Sequence, residues 1–162
     1  MKLIIGGAFQ GKLEFARKTY GTEDGWIDGR NCELSEIMTC RGVHHFHEYI
    51  RRLLNTDDQP QQTMPQMSSR AASFFTGASE NLSTLEQQAK AFTDWLYRSN
   101  PELLVVSTEL GYGVVPMESD DRLWREAVGR VCTCLASDSD EVVRVVCGIG
   151  MWLKKPDPGE KE

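Results

Sequence analysis

The first twenty residues, MKLIIGGAFQGKLEFARKTY, constrain the fold most: an apolar run breaks at a glycine pair, and a Gly-Lys step then opens a helical pattern. Residues 2–5 read as a buried strand of a parallel sheet, because an uninterrupted apolar run suits a strand covered on both faces. From Lys12 onward, Leu13, Ala16 and Tyr20 fall on one helical face, and Gly21 stands just beyond as a stop. A strand, a glycine turn and a helix in that order belong to a layered α/β arrangement.

The turn itself has the spacing G-x-x-x-x-G-K, with Gly6, Gly11 and Lys12 at the fixed positions and Gly7, Ala8, Phe9 and Gln10 between them. Glycines let successive backbone N–H groups curl toward phosphate oxygens, the helix N-terminus adds partial positive charge, and the lysine reaches the outer phosphates. A turn that merely joins strand to helix would not need the lysine. Leu13 follows where such loops carry a Ser or Thr, whose hydroxyl ligates magnesium. The cradle is therefore expected to hold an anion while metal positioning suffers.

The remaining chain continues the alternation. Residues 25–29, GWIDG, read as a short second strand. Phe46, Ile50, Leu53 and Leu54 predict a helix over about 44–55. Residues 56–80 are rich in Gln, Ser, Thr and Pro and read as a long mobile insertion. Ser83 and Glu86 have capping-box spacing before the stripe Leu85, Ala89, Phe92 and Leu96, which Asn100-Pro101 ends. LLVVSTE, residues 103–109, reads as a central buried strand, residues 119–136 as a helix, and residues 142–148 as a last strand before a solvated tail at 154–162. The expectation is one α/β domain over 1–153 with a mostly parallel sheet.

Composition narrows the partners. The chain has 162 residues, 40% of them hydrophobic, which suits one compact domain. A net charge of -6 argues against nucleic acid or an acidic membrane, since binding phosphate backbones needs dense Lys/Arg surfaces. The opening apolar run is too short for a secretory signal, and no stretch reaches the length of a membrane span. Five cysteines, without a C-x-x-C pair, read as reduced thiols, so a cytoplasmic location is expected.

Further chemistry sits at strand ends. Glu109 closes the central strand, where a phosphoryl-transfer site wants an acid near magnesium. Asp28 closes the shorter second strand and is a second candidate. His44, His45 and His47 cluster at the start of a helix; a metal site there lacks a third ligand at recognisable spacing, and two of the three read as surface residues.

Three segments together resemble one family: LIIGGAFQGK, then STELGYGVVPMESDDRLWREAVGRV, then DEVVRVVCGIGMWLK, in that order. The family is that of the bifunctional adenosylcobinamide kinases and adenosylcobinamide-phosphate guanylyltransferases of cobalamin biosynthesis. The resemblance implies a P-loop fold of the RecA-like, three-layer type, ATP or GTP as donor, Mg2+, a corrinoid substrate and a homotrimer. It implies that Gly6, Gly7, Gly11 and Lys12 hold donor phosphates, and that Glu109 is the acid of the second motif. Family members read G-K-S where this chain has Gly11-Lys12-Leu13. Two alignments are open at the histidines: one lays Met38, Arg41, His44 and His45 on the family's M-x-x-R-x-x-H-H, making His45 the guanylyl acceptor. The other places VHHFHEYIRRLL on a later helix and deletes the acceptor segment. The competing class is a nucleotide-binding regulator or assembly protein that keeps the cradle without turnover.

Overall fold

The computed structural model describes residues 1–21, 24–55, 84–111, 113 and 116–155. The expected insertion at 56–80 lies outside them, as does the tail from residue 156. Among the described residues the elements are β1 (Lys2–Ile5), α1 (Lys12–Tyr20), β2 (Trp26–Asp28), α2 (Leu34–Ile37), β3 (Gly42–His44) and α3 (Phe46–Leu54). They continue with α4 (Leu85–Ser99), β4 (Leu104–Val106), α5 (Ser119–Asp138), β5 (Glu141–Val146) and β6 (Ile149–Lys154).

The strands form one sheet in the order β2-β3-β4-β1-β5-β6, parallel throughout except for β6, which runs antiparallel to β5. Alternation along each strand sends side chains to opposite faces. Leu3, Val105 and Val142 join Phe46, Ile50, Phe92, Leu96, Val131 and Leu135 in the core under α3, α4 and α5. Ile4, Leu104, Val106, Val143 and Val145 pack with Ala16 beneath α1. The result is a three-layer α/β P-loop fold, with β1 buried at the middle of the sheet.

Several expectations shift by a strand or a turn. β3 was not expected from the sequence: it is three residues long, holds a glycine and one histidine, His44, and has no apolar run to announce it. Gly42 is required there, because a Cβ would sit 2.6 Å from the Trp26 ring of β2. The helix expected from residue 44 accordingly begins at Phe46, with His45 as its left-handed N-cap residue. Thr84 caps α4 through a box with Gln87, one residue later than the Ser83–Glu86 spacing suggested. β4 ends at Val106 rather than at Glu109, and Lys154 closes β6 instead of opening a tail. No described helix is long and apolar enough to cross a membrane.

Candidate functional site

The loop after β1 is built as a tight backbone curl. Gly6 has φ of 155°, and a Cβ on it would lie 2.3 Å from the Val145 carbonyl oxygen of β5. Gly11, with φ of 75°, caps α1 without a side-chain hydrogen bond, so the first N–H groups of the helix face the loop. The loop is pinned to the β5–β6 turn: the Cys147 N–H donates to the Gln10 side-chain oxygen at 2.7 Å, and the Gly148 N–H donates to the Gln10 carbonyl at 2.9 Å. Lys12 folds across the loop and donates from Nζ to the Gly7 carbonyl at 2.6 Å. Burial lowers the Lys12 pKa, and the Glu109 charge opposes that shift. Leu13 is half-buried and offers no oxygen.

Glu109 lies beside the base of this loop. Its N–H donates to the Gly6 carbonyl at 3.0 Å, and its carboxylate accepts from the Arg144 guanidinium of β5 at 3.0 Å. The sequence brought Glu109 forward as an acid at a strand end; its pairing with Arg144 becomes visible only from the sheet order.

None of the three histidines is an exposed surface residue, contrary to expectation: His44 and His45 are half-buried and His47 is buried. His47 Nδ1 accepts the Thr108 N–H at 3.4 Å, and its carbonyl accepts the Trp124 indole N–H at 2.7 Å. Burial, reinforced by His45 and Lys12, pushes the His47 pKa down to about 4. His44 and His45 meet through their Nδ1 atoms at 2.7 Å, and Asp28 Oδ1 lies 3.1 Å from His45 Nδ1. Burial alone would raise the Asp28 pKa, but hydrogen bonds from Arg30 and the neighbouring histidines outweigh it and hold the carboxyl well below its usual range. Asp28 is the second candidate acid of the sequence. The β2–β3 register, which sets Asp28 against His44, is what brings it to the histidines.

A cavity of about 320 Å³ separates loop residues 8–14 from His44, His45, His47, Val106 and Thr108. Its walls come from the carboxyl ends of β1, β3 and β4, where open α/β sheets hold their ligands. Backbone N–H groups, a lysine and three imidazoles facing one cavity suit an anionic ligand whose charge changes during reaction.

The profile of a family described as cobinamide kinase / cobinamide phosphate guanyltransferase matches residues 47–153. The bifunctional adenosylcobalamin biosynthesis protein CobU of Salmonella typhimurium (strain LT2) is 40% identical over 57 residues, which are 35% of this chain and 32% of that protein. The chain thus aligns with about a third of the length of that curated relative. The profile match takes in His47 and Glu109, while residues 6–13, His44 and His45 precede it.

Proposed function

Because the chain belongs to the cobinamide kinase / cobinamide phosphate guanyltransferase family, we propose that it is a nucleotide-dependent phosphoryl transferase of corrinoid biosynthesis acting on adenosylcobinamide. The observation that carries this reading is the cavity between residues 8–14 and the carboxyl ends of β3 and β4, with Lys12 on one wall and Thr108 on the other. ATP or GTP is the donor. The loop N–H groups and Lys12 hold its phosphates and take up charge as the terminal phosphoryl group loosens. The substrate's aminopropanol hydroxyl oxygen attacks the terminal phosphorus, the bond to the bridging oxygen breaks, the hydroxyl proton passes to solvent, and the nucleoside diphosphate departs. Glu109, held by Arg144 through one carboxylate oxygen, uses the other either to orient the attacking hydroxyl or to help hold magnesium.

Magnesium fits this donor set as an ion carried by the nucleotide. Leu13 has no ligand atom, so Glu109, phosphate oxygens and water would complete the shell, as magnesium prefers. Bound there, it would neutralise charge on the outer phosphates.

GMP transfer to the corrinoid phosphate is the second reading, favoured by the contact of Asp28 with His45 Nδ1. With its Nδ1 proton directed to Asp28, His45 presents the Nε2 lone pair as guanylyl acceptor. Nε2 would bond to the α-phosphorus of GTP as pyrophosphate leaves, and the corrinoid phosphate would then displace the imidazole. Homotrimeric assembly and a cytoplasmic location complete the proposal.

The test is incubation of the purified chain with labelled ATP or GTP, magnesium and adenosylcobinamide. Phosphorylated or GDP-linked corrinoid is the expected product. Tight nucleotide binding without product would replace the enzyme by a nucleotide-binding regulator. A covalent GMP adduct that persists in His45→Ala would remove that residue as acceptor.

A further inference from the structure

We propose that Asp28, His44 and His45 form a binding site for a late first-row transition-metal ion such as zinc or cobalt, at the edge of the loop-facing cavity. The three prospective ligand atoms are His44 Nδ1, His45 Nδ1 and Asp28 Oδ1. Their separations are 2.7, 3.1 and 3.9 Å. Bonds of about 2.0–2.1 Å in a tetrahedron set ligand atoms roughly 3.3–3.4 Å apart. The observed triangle brackets that edge, so small ring rotations close it around one ion.

The backbone is arranged for this approach. A Cβ on Gly29 would stand 2.6 Å from the His45 carbonyl oxygen, so the glycine lets the end of β2 reach the end of β3. The Gly29 N–H donates to the His44 carbonyl at 2.8 Å. His45 takes a left-handed conformation, with φ of 52° and ψ of 38°, and its ring T-stacks on His44 at a centroid distance of 4.7 Å. Two Nδ1 atoms 2.7 Å apart repel unless one proton or one cation lies between them.

Charge and donor type agree with a transition ion. Asp28 is an ionised carboxylate oriented by Arg30, whose backbone N–H and Nε both donate to it. Two imidazoles and one carboxylate select zinc, cobalt or nickel over magnesium, which takes oxygen donors. Three protein ligands leave a fourth position for water or a substrate oxygen, as in catalytic rather than structural sites. His44 and His45 line the same cavity as Lys12. A metal on His45 Nδ1 places the ring proton on Nε2, so His45 lacks a free Nε2 lone pair while the metal is bound.

The site stands independently of the transfer reaction and is tested without it. Cobalt(II) is titrated into the purified full chain and followed by visible absorption, with zinc as the competing ion. Saturable binding of one equivalent with weak nitrogen/oxygen-type bands, displaced by zinc, is expected. Asp28→Asn and His44→Gln should each weaken it by roughly the 10- to 100-fold that loss of a supporting group costs, or more. Lys12→Ala should retain it despite losing nucleotide affinity, which separates this proposal from the loop's role. Intense thiolate bands, absence of saturable binding, or unchanged affinity in Asp28→Asn would overturn it. Should His44→Gln fail to fold, a zinc-dependent rise in Tm that is present in the native chain and absent in Asp28→Asn gives the same decision; an equal rise in both contradicts the site.

Discussion

On the proposed reading, Leu13 separates binding from catalysis at the scale of one side chain. Loop N–H groups do not depend on the side chain at that position, so nucleotide affinity would survive leucine while the hydroxyl that would ligate magnesium is lost. Leu13→Ser is expected to raise magnesium-dependent turnover by about tenfold, equivalent to ~1.4 kcal/mol, with nucleotide affinity unchanged. Equal turnover in steady-state kinetics would remove the hydroxyl from the account. His47 gives a pH signature of its own. Its pKa falls from 6.5 to about 4 on folding. The unfolded chain therefore binds the extra proton between those values, and stability is fully present above 6.5 and is lost as pH falls toward 4. Denaturant titrations should show a loss of roughly 2–3 kcal/mol across that window. His47→Gln, which retains an acceptor for the Thr108 N–H, should flatten the profile.

Among the elements, those that announce themselves through composition were legible and those that depend on their neighbours were not. β1 and α1 were readable because an apolar run, a glycine loop and a helical stripe adjoin one another. β3 was not, since Gly42 is dictated by the Trp26 ring on β2, a contact invisible in one dimension. The site divides the same way. Lys12 and the loop follow from local spacing, and Glu109 from its position after an apolar run. The meeting of Asp28 with His44 and His45 requires the β2–β3 register. Two substitutions test the elements. Gly6→Ala forces a Cβ into the Val145 carbonyl at 2.3 Å and should displace the loop from β5, seen as lost nucleotide binding and a lowered Tm. Phe92→Ala empties a fully buried position stacked on Phe46 at 6.4 Å and should cost about 3–5 kcal/mol in chemical denaturation. A loss below about 1 kcal/mol, roughly what a single buried methylene carries, would mean that α3 and α4 do not share this core.

At the scale of the molecule, sheet order explains why the candidate site lies at one end of the protein. After β1 the chain crosses to β2 at the sheet edge and returns through β3 and β4 to lie beside β1 again. The carboxyl ends of β1, β3 and β4 then open on one cavity, and α1 starts within it with its N–H groups uncapped by a side chain. With a net charge of -6, an anionic ligand would need its charge cancelled locally, a task the proposal gives to Lys12 and the helix end. The central claim is that this loop cradles nucleotide phosphates. Calorimetric titration of ATP and GTP into the native chain and Lys12→Ala tests it most directly. Saturable binding by the native chain, weakened roughly 10- to 100-fold in the variant by loss of a charge-assisted contact of ~1.5–3 kcal/mol, is the predicted result. Identical affinity in a folded Lys12→Ala would contradict it.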